Sequence, residues 1–331
     1  MKPSKFLKKF IIAVIICFWA VFLIVWYIDP FYHFHAPFWP FKVTITKGEY
    51  QGIGSIRNFD YDSILLGSSV AENYNNRWFD EGFNCTTIKG IKSSGTTADL
   101  LYLFDEACEK NNDDIKYCFY SLDLFALMAD PDTNFTSYLK DSLPLYLYDH
   151  NPFNDLEYIY NKDVLFEAIP TAIYKAFDSS VDEGETYSWY HNKEFSKEAA
   201  IRNSDLTDQD LSQTPLSVDE IDEYVKSNLE NLIQRIKTHP DTEFIFILPP
   251  YSSLWRENMI RCGEQLRYEY AYEAFLDAMK QFDNVKIYSF MDDINITDNL
   301  DNYMDAMHFS YNISGMIASE IQKEDSEYRI Q

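Results

Sequence analysis

Cysteine is scarce in this chain, and its spacing excludes two kinds of structural site. The 331 residues include five cysteines, at positions 17, 85, 108, 118 and 262. No pair forms a Cys-x-x-Cys motif and no cysteine has a histidine at metal-ligand spacing, which excludes a zinc site. Such sparse and irregular cysteines are also not a disulfide framework. We therefore predict free thiols and no bound metal.

Basic residues are also few. The chain has 28 Lys and Arg against 53 Asp and Glu, and its net charge is −25. A surface this acidic repels nucleic acid and anionic lipid, so DNA and RNA are excluded as partners. Internal repeats and low-complexity tracts are absent as well. Since 46% of the residues are hydrophobic, the chain is globular and long enough to bury a sizeable core.

Aromatic residues, by contrast, are abundant. They make up 17% of the chain, with 25 Tyr and 25 Phe. This content fits either a carbohydrate-stacking surface or ordinary core packing, and we adopt core packing.

The longest uncharged run lies close to the N-terminus. Phe10 to Ile28 is apolar and, at about 1.5 Å per residue, reaches the ~30 Å of a bilayer core. It is longer than the apolar part of a signal peptide and no small-residue cleavage site follows it, so we predict a retained anchor. Four lysines precede it and the next basic residue is Lys42, which predicts a cytoplasmic N-terminus. The remaining domain is then extracytoplasmic.

The rest of the chain alternates between strand-like and helical segments. We predict a cytoplasmic tail at 1–9, the anchor at 10–28, a stalk at 29–58 and a domain at 59–331 with an insertion at about 125–215. Strands are predicted at Ser63–Gly67, Cys85–Ile88, Ile115–Ser121, Glu243–Leu248 and Asn284–Tyr288. Helices are predicted from about Val70 and over Thr97–Cys108, Val218–Thr238, Leu254–Gln281 and Asn312–Gln322. This order predicts an α/β fold with a parallel sheet, helices on both faces and a site at the carboxyl ends of the strands.

Three short segments could carry chemistry. Ser69, after Gly67 and Ser68, follows the first strand, where its hydroxyl is either a nucleophile or a helix cap. Gly95 follows the second strand, where its N–H is either an oxyanion donor or part of an ordinary turn. Near the C-terminus, Asp305 precedes His308 by three residues, so on a helical turn the carboxylate could orient the imidazole.

Together these segments resemble the SGNH, or GDSL-like, hydrolase superfamily. The resemblance covers about residues 59–125 and 216–325. It implies a flavodoxin-like αβα sandwich, Ser69 as nucleophile, Asp305 and His308 as its partners, and an oxyanion hole formed by the N–H groups of Ser69 and Gly95. No cofactor is needed for this chemistry.

One position departs from the family pattern. The oxyanion asparagine of the family falls on Asp123, after the third strand. An ionised carboxylate only accepts hydrogen bonds and would oppose an oxyanion. Either Asp123 is protonated, or another donor replaces it, or it has a structural or substrate-contact role. Arg256 is a second open position, since it could bind an anionic substrate or form a surface ion pair.

The layout is similar to membrane-anchored SGNH proteins that accompany O-acyltransferases in bacterial surface-polymer modification. The points of likeness are the single span, the stalk DPFYHFHAP, Gly-Ser-Ser at Ser69 and Pro-Pro-Tyr-Ser at 249–252. This resemblance implies an esterase or acyltransferase acting on acylated surface glycan or teichoic acid, with a membrane-bound O-acyltransferase as partner. The alternative is a non-catalytic accessory protein of such an acyltransferase.

Overall fold

A computed structural model gives the fold of residues 3–45, 47–185, 188–204 and 215–331. Residues 186–187 and 205–214 of the predicted insertion lie outside the described residues. The strands are β1 (Ser63–Gly67), β2 (Thr87–Ile91), β3 (Tyr117–Ser121), β4 (Glu243–Leu248) and β5 (Val285–Ser289). The α-helices are α1 (Pro3–Ile28), α2 (Gly48–Asn58), α3 (Asn76–Phe83), α4 (Thr97–Asn111), α5 (Leu124–Leu127), α6 (Phe135–Tyr138), α7 (Leu156–Ile159), α8 (Ile169–Ala176), α9 (Lys197–Asn203), α10 (Asp222–Thr238), α11 (Ser253–Arg261), α12 (Gln265–Met279), α13 (Ile294–Thr297) and α14 (Tyr311–Glu320). A π-helical turn covers Val164–Ala168, and 3₁₀ turns cover Ser69–Ala71, Leu145–Leu147, Glu183–Glu185, Tyr190–Asn192 and Leu300–Asn302.

Within the described residues, five strands form one parallel sheet in the order β2-β1-β3-β4-β5. This is the flavodoxin-like strand order, and it confirms the predicted α/β fold. All five strands run in the same direction, so the loops that follow them gather at one edge. The predicted site residues belong to these loops and to the segment before α14.

Alternating side chains give the sheet two cores, one on each face. In β1, Ile64 and Leu66 belong to the first core and Leu65 to the second, as the two-residue period of a strand requires. The first core is covered by α2, α4, α10 and α12, and the second by α3 and α14. Burial on both faces explains why the strands read as continuous apolar runs.

Several predicted boundaries differ from the structure, among them those of the second strand and of two helices. The second strand begins at Thr87 rather than Cys85. The helix predicted from Val70 is only a 3₁₀ turn, and the next α-helix starts at Asn76. The single helix predicted over 254–281 is broken into α11 and α12, because Gly263 between them adopts a φ of 75° that a helix cannot contain.

Part of the predicted stalk is an element of the domain. Residues 48–58 form α2, which packs against α4 and β2. A Cβ at Gly54 would lie 2.3 Å from the carbonyl oxygen of Phe31, so only glycine lets the preceding segment lie directly on this helix. The chain from the end of α1 to α2 is therefore fastened to the domain.

Helix α1 is long enough and apolar enough to cross a membrane. Its last turns pack against the domain. Val25 is buried and Ile28 nearly so, both in the first core, and Val21 and Phe22 pack against that core.

The predicted insertion between β3 and β4 contains no strand among its described residues. Its first part, around α7 and α8, packs along α1. Its second part, residues 188–203, reaches the edge of the sheet where the candidate site lies.

Candidate functional site

Ser69, His308 and Asp305 form a continuous hydrogen-bonded chain. Ser69 Oγ lies 2.8 Å from His308 Nε2, although 239 positions separate the two residues. His308 Nδ1 lies 2.8 Å from Asp305 Oδ2. Because an ionised carboxylate only accepts, Nδ1 carries the proton and Nε2 accepts from the serine hydroxyl. The three side chains thus have the arrangement of a nucleophile, a general base and its orienting carboxylate.

The Asp305–His308 pair lies in a tight loop rather than on the helical turn that the spacing suggested. Asp305 Oδ1 accepts the backbone N–H groups of Met307 and His308, each at 2.8 Å. These two hydrogen bonds fix the Asp305 carboxylate within the loop, and the fixed carboxylate in turn holds the His308 imidazole. Burial raises the pKa of Asp305, but the hydrogen bonds from His308 and Met307 outweigh it and leave the pKa below 3.8.

The loop after β4 holds this histidine loop in place. Ser252 donates from its hydroxyl to the carbonyl of Ala306 at 2.7 Å, and its backbone N–H donates to the same oxygen at 3.1 Å. Tyr303 donates from its hydroxyl to the carbonyl of Pro250 at 2.7 Å. Residues 249–252 therefore position the loop that carries His308.

Gly67 determines how Ser69 leaves the sheet. A Cβ at Gly67 would lie 2.5 Å from the Cβ of Ala71 and 3.1 Å from that of Ser121. Without a side chain there, the chain turns sharply from β1 into the 3₁₀ turn, and Ser69 remains partly exposed while its neighbours are buried. Within the described residues, no acceptor pairs with the backbone N–H of Ser69, which leaves it available to an oxyanion.

A buried lysine supports the same turn. Lys89 lies in the middle of β2 and donates from Nζ to the carbonyl of Glu72 at 2.7 Å. Burial lowers the pKa of Lys89 to about 7, although Glu72 and Glu185 act in the opposite direction. A lysine in the middle of an otherwise uncharged strand is the sequence feature that could have predicted this contact.

Gly95 does not present its N–H to the site. It donates to the carbonyl of Lys92 at 2.8 Å and closes the turn after β2. In this conformation the N–H is engaged by the turn, so the expected role of Gly95 as oxyanion donor stays a prediction. The glycine is required by space, because a Cβ would lie 2.7 Å from the same carbonyl oxygen.

Asp123 is buried at the carboxyl end of β3, beside Ser68 and Tyr251. It accepts a hydrogen bond from Tyr251 at Oδ1, whereas Oδ2 has no partner of normal geometry among the described residues. Burial raises the pKa of Asp123 to about 6, although contacts with Ser68 and Tyr251 and the charge of His308 act in the opposite direction. The carboxyl thus takes up a proton much more readily than an exposed aspartate.

Trp189, in the insertion, was not predicted as a site residue. Its Nε1 donates to the carbonyl of Ser69 at 3.3 Å, and its ring stands edge-on to His308 with centroids 5.4 Å apart. Its backbone N–H donates to Asn73 Oδ1 at 3.1 Å. Sequence spacing could not have predicted this position, because Trp189 reaches His308 only through the path of the insertion. The insertion therefore forms one wall of the site.

Arg256 forms the ion pair that was one of its two expected roles, and binding of an anionic substrate stays a prediction. Its Nη2 donates to Thr297 Oγ1 at 3.0 Å and lies 3.9 Å from a carboxylate oxygen of Asp298. It also lines a pocket of about 250 Å³ together with Tyr251 and Trp255. These partners place it in a surface polar pair beside that pocket.

Two clusters of side chains in the described residues have the spacing to hold a metal ion, and neither includes the Ser69 chain. One comprises Cys108, Asp113 and His239. Burial raises the pKa of the Cys108 thiol to about 12, which disfavours the thiolate that a metal needs. The other comprises Glu106, Glu109 and His150, where the Glu106 carboxylate already binds the Arg57 guanidinium through both oxygens.

Comparison with protein-family models, with curated proteins and with solved structures gives no match.

Proposed function

We propose that this chain is a serine acyl-esterase or O-acyltransferase of the SGNH kind. Its substrate would be an acylated cell-surface glycan or teichoic acid. The observation that carries the proposal is the hydrogen-bonded chain from Ser69 through His308 to Asp305. Three residues from opposite ends of the sequence meet at ordinary catalytic distances at the carboxyl edge of a parallel sheet.

The proposed reaction uses a covalent intermediate. His308 Nε2 takes the Ser69 proton as Oγ attacks the acyl carbonyl, and the imidazolium is stabilised by Asp305. The tetrahedral intermediate then expels the alcohol oxygen of the substrate, which receives the proton from His308. Water or a sugar hydroxyl, deprotonated by His308, attacks the acyl-serine and releases the acid or the new ester. No metal or cofactor takes part.

The oxyanion in this scheme is held by the backbone N–H of Ser69 and by a protonated Asp123. A neutral carboxyl has one O–H donor, and the pKa of about 6 makes that form accessible near neutral pH. Loss of one oxyanion donor costs about 10²–10³ in rate, so the protonation of Asp123 decides how efficient the reaction is.

The location is part of the proposal. Helix α1 is long and apolar enough to anchor the chain, and the lysines before it favour a cytoplasmic N-terminus. The catalytic domain would then face outward, where surface polymers are modified. A membrane-bound O-acyltransferase is the proposed partner that would supply or receive acyl groups.

Labelling with a fluorophosphonate probe tests the mechanism. The wild-type protein should be labelled, Ser69→Ala should not, and His308→Ala should be labelled far more slowly. Ser93→Ala is the matched control, because Ser93 is exposed in the loop after β2 and lies outside the hydrogen-bonded chain. Unlabelled wild-type protein, or equal labelling of Ser69→Ala, would show that Ser69 is not an activated nucleophile.

The second candidate is a non-catalytic accessory protein of a membrane O-acyltransferase. Two observations favour it: the Gly95 N–H is engaged in a turn, and a carboxyl replaces the family's asparagine at Asp123. Release of acetate from a model ester, abolished in His308→Ala, would exclude this candidate. Absence of esterase activity together with co-purification of a multi-span membrane protein would favour it.

A further inference from the structure

We infer that residues 153–177 form a second membrane contact that inserts into the bilayer beside α1. The inference goes beyond the proposed chemistry and depends on α1 crossing the membrane. It rests on two observations in different parts of the segment: how far along α1 the segment reaches, and which of its side chains are exposed.

The depth follows from the contact between Tyr160 and Phe18. Their rings stack with centroids 4.6 Å apart, and the Tyr160 hydroxyl donates to the Phe18 carbonyl at 2.9 Å. Lys9 marks the inner end of the apolar run, and Phe18 lies only about 14 Å beyond it along the helix axis. Since the hydrocarbon core is about 30 Å thick, Phe18 lies well inside it. Tyr160 must therefore lie inside it too.

The segment continues this contact up the helix. Val21, Phe22 and Val25 form a stripe on α1, and the inward-facing side chains of the segment, including Tyr158 and Leu165, belong to or pack against the same core. Helices α7 and α8 both contact α1. The other faces of α1 stay exposed, as lipid-facing residues do. The segment thus covers one side of a helix whose remaining sides face lipid.

Exposed apolar side chains of the segment recur at helical spacing. Those over the π-turn, α8 and its C-terminal cap lie on one face, namely Phe166, Pro170, Ile173, Tyr174 and Phe177, and the exposed polar residues Lys162, Asp163, Glu167 and Thr171 lie outside this apolar stripe. Phe166 is 81% exposed and Phe177 is 77% exposed. These exposed aromatic side chains flank α8, a helix that contacts the apolar α1. Such a stripe is typical of a segment whose apolar face is buried in a membrane.

Charge does not provide the attraction. The chain is strongly acidic, so attraction to anionic headgroups cannot hold this face on a membrane. Glu167, an acid beside the stripe, is paired with Lys47 at 2.8 Å. Burial of aromatic side chains in the acyl region is the interaction that remains, and it does not require anionic lipid.

Photo-crosslinking in vesicles of phosphatidylcholine tests the inference on the full chain. The amino acid p-benzoylphenylalanine replaces Phe166, Phe177, Phe10 or Ile294 in separate proteins. Phe10 is the lipid-facing control on α1, and Ile294 is an exposed residue after β5, at the sheet edge opposite β2. Because the replaced side chains are exposed, each protein should keep its thermal midpoint. Mass spectrometry then detects a gain of one lipid mass.

Lipid adducts at 166, 177 and 10, but not at 294, are expected. Adducts at 10 without adducts at 166 and 177 would overturn the inference, and so would the absence of adducts at all positions, because α1 would then not be in the bilayer. In native membranes, adducts of 166 and 177 with a protein in place of lipid would overturn it in favour of a protein interface. Esterase activity plays no part in these readouts, so the proposed function can fail independently.

Discussion

Replacing Asp123 with asparagine should make the protein more stable at neutral and alkaline pH. The pKa of this buried carboxyl rises from 3.8 to about 6, so the folded protein holds its proton more tightly than the unfolded chain. A group whose pKa is raised on folding stabilises the fold below its unfolded value, and that contribution is lost as pH rises through the folded value. At about 1.36 kcal/mol per pKa unit, the full loss is about 3 kcal/mol above pH 6.

Asparagine has nearly the same shape and cannot ionise. It can still accept the Tyr251 hydrogen bond, so Asp123→Asn should keep the fold. Relative to this variant, the wild-type protein should lose about 1.4 kcal/mol of unfolding free energy between pH 5 and pH 8. Denaturant unfolding of the full chain in detergent measures the difference. Asp325→Asn, at an exposed position, is the control and should show no such difference.

Parallel stability profiles of wild type and Asp123→Asn over this range would refute the reasoning. The ionised carboxyl would then be solvated, or stabilised by a neighbouring group, although its burial indicates neither.

The same pair of proteins also tests the role of Asp123 in catalysis. If the protonated carboxyl binds the oxyanion, wild-type ester hydrolysis should fall as pH rises above about 6, whereas Asp123→Asn should keep its rate.

Three further substitutions have defined outcomes. Asp305→Asn should reduce ester hydrolysis by about 10²–10⁴, measured as kcat, because the imidazole loses its ionised acceptor and tautomer control. Gly67→Ala should destabilise the fold by about 1–3 kcal/mol in denaturant unfolding, because the new Cβ would overlap that of Ala71. Trp189→Phe should lower the fluorophosphonate labelling rate with little change in thermal midpoint, because it removes the hydrogen bond to the Ser69 carbonyl but keeps an aromatic ring.

Much of the fold was predictable because buried parallel strands carry a strong local signal. Ser63–Gly67 and Glu243–Leu248 are continuous apolar runs, and their predicted bounds match the structure. The meeting of Ser69 and His308 was predictable from order, since strand ends of a parallel sheet share one edge. The catalytic roles of these residues stay a prediction.

The remaining features depend on contacts that a local pattern cannot reveal. Whether the Gly95 N–H points into the site or closes a turn depends on the carbonyl of Lys92, which the spacing does not specify. Trp189 reaches His308 only through the path of an irregular insertion. Residues 48–58 form α2 because they pack on the sheet layer, although their sequence has three glycines and weak periodicity.

The end of α1 packs into the first core, and this limits where the candidate site can be. Because Val25 and Ile28 belong to that core, no free hinge separates α1 from the domain among the described residues. With α1 in a bilayer, Ser69 would stay at a nearly constant height above the lipid and could not bend toward a target. The substrate would then have to extend to the position of Ser69. Turnover should therefore depend on the length and flexibility of the polymer that carries the acyl group as well as on the group itself.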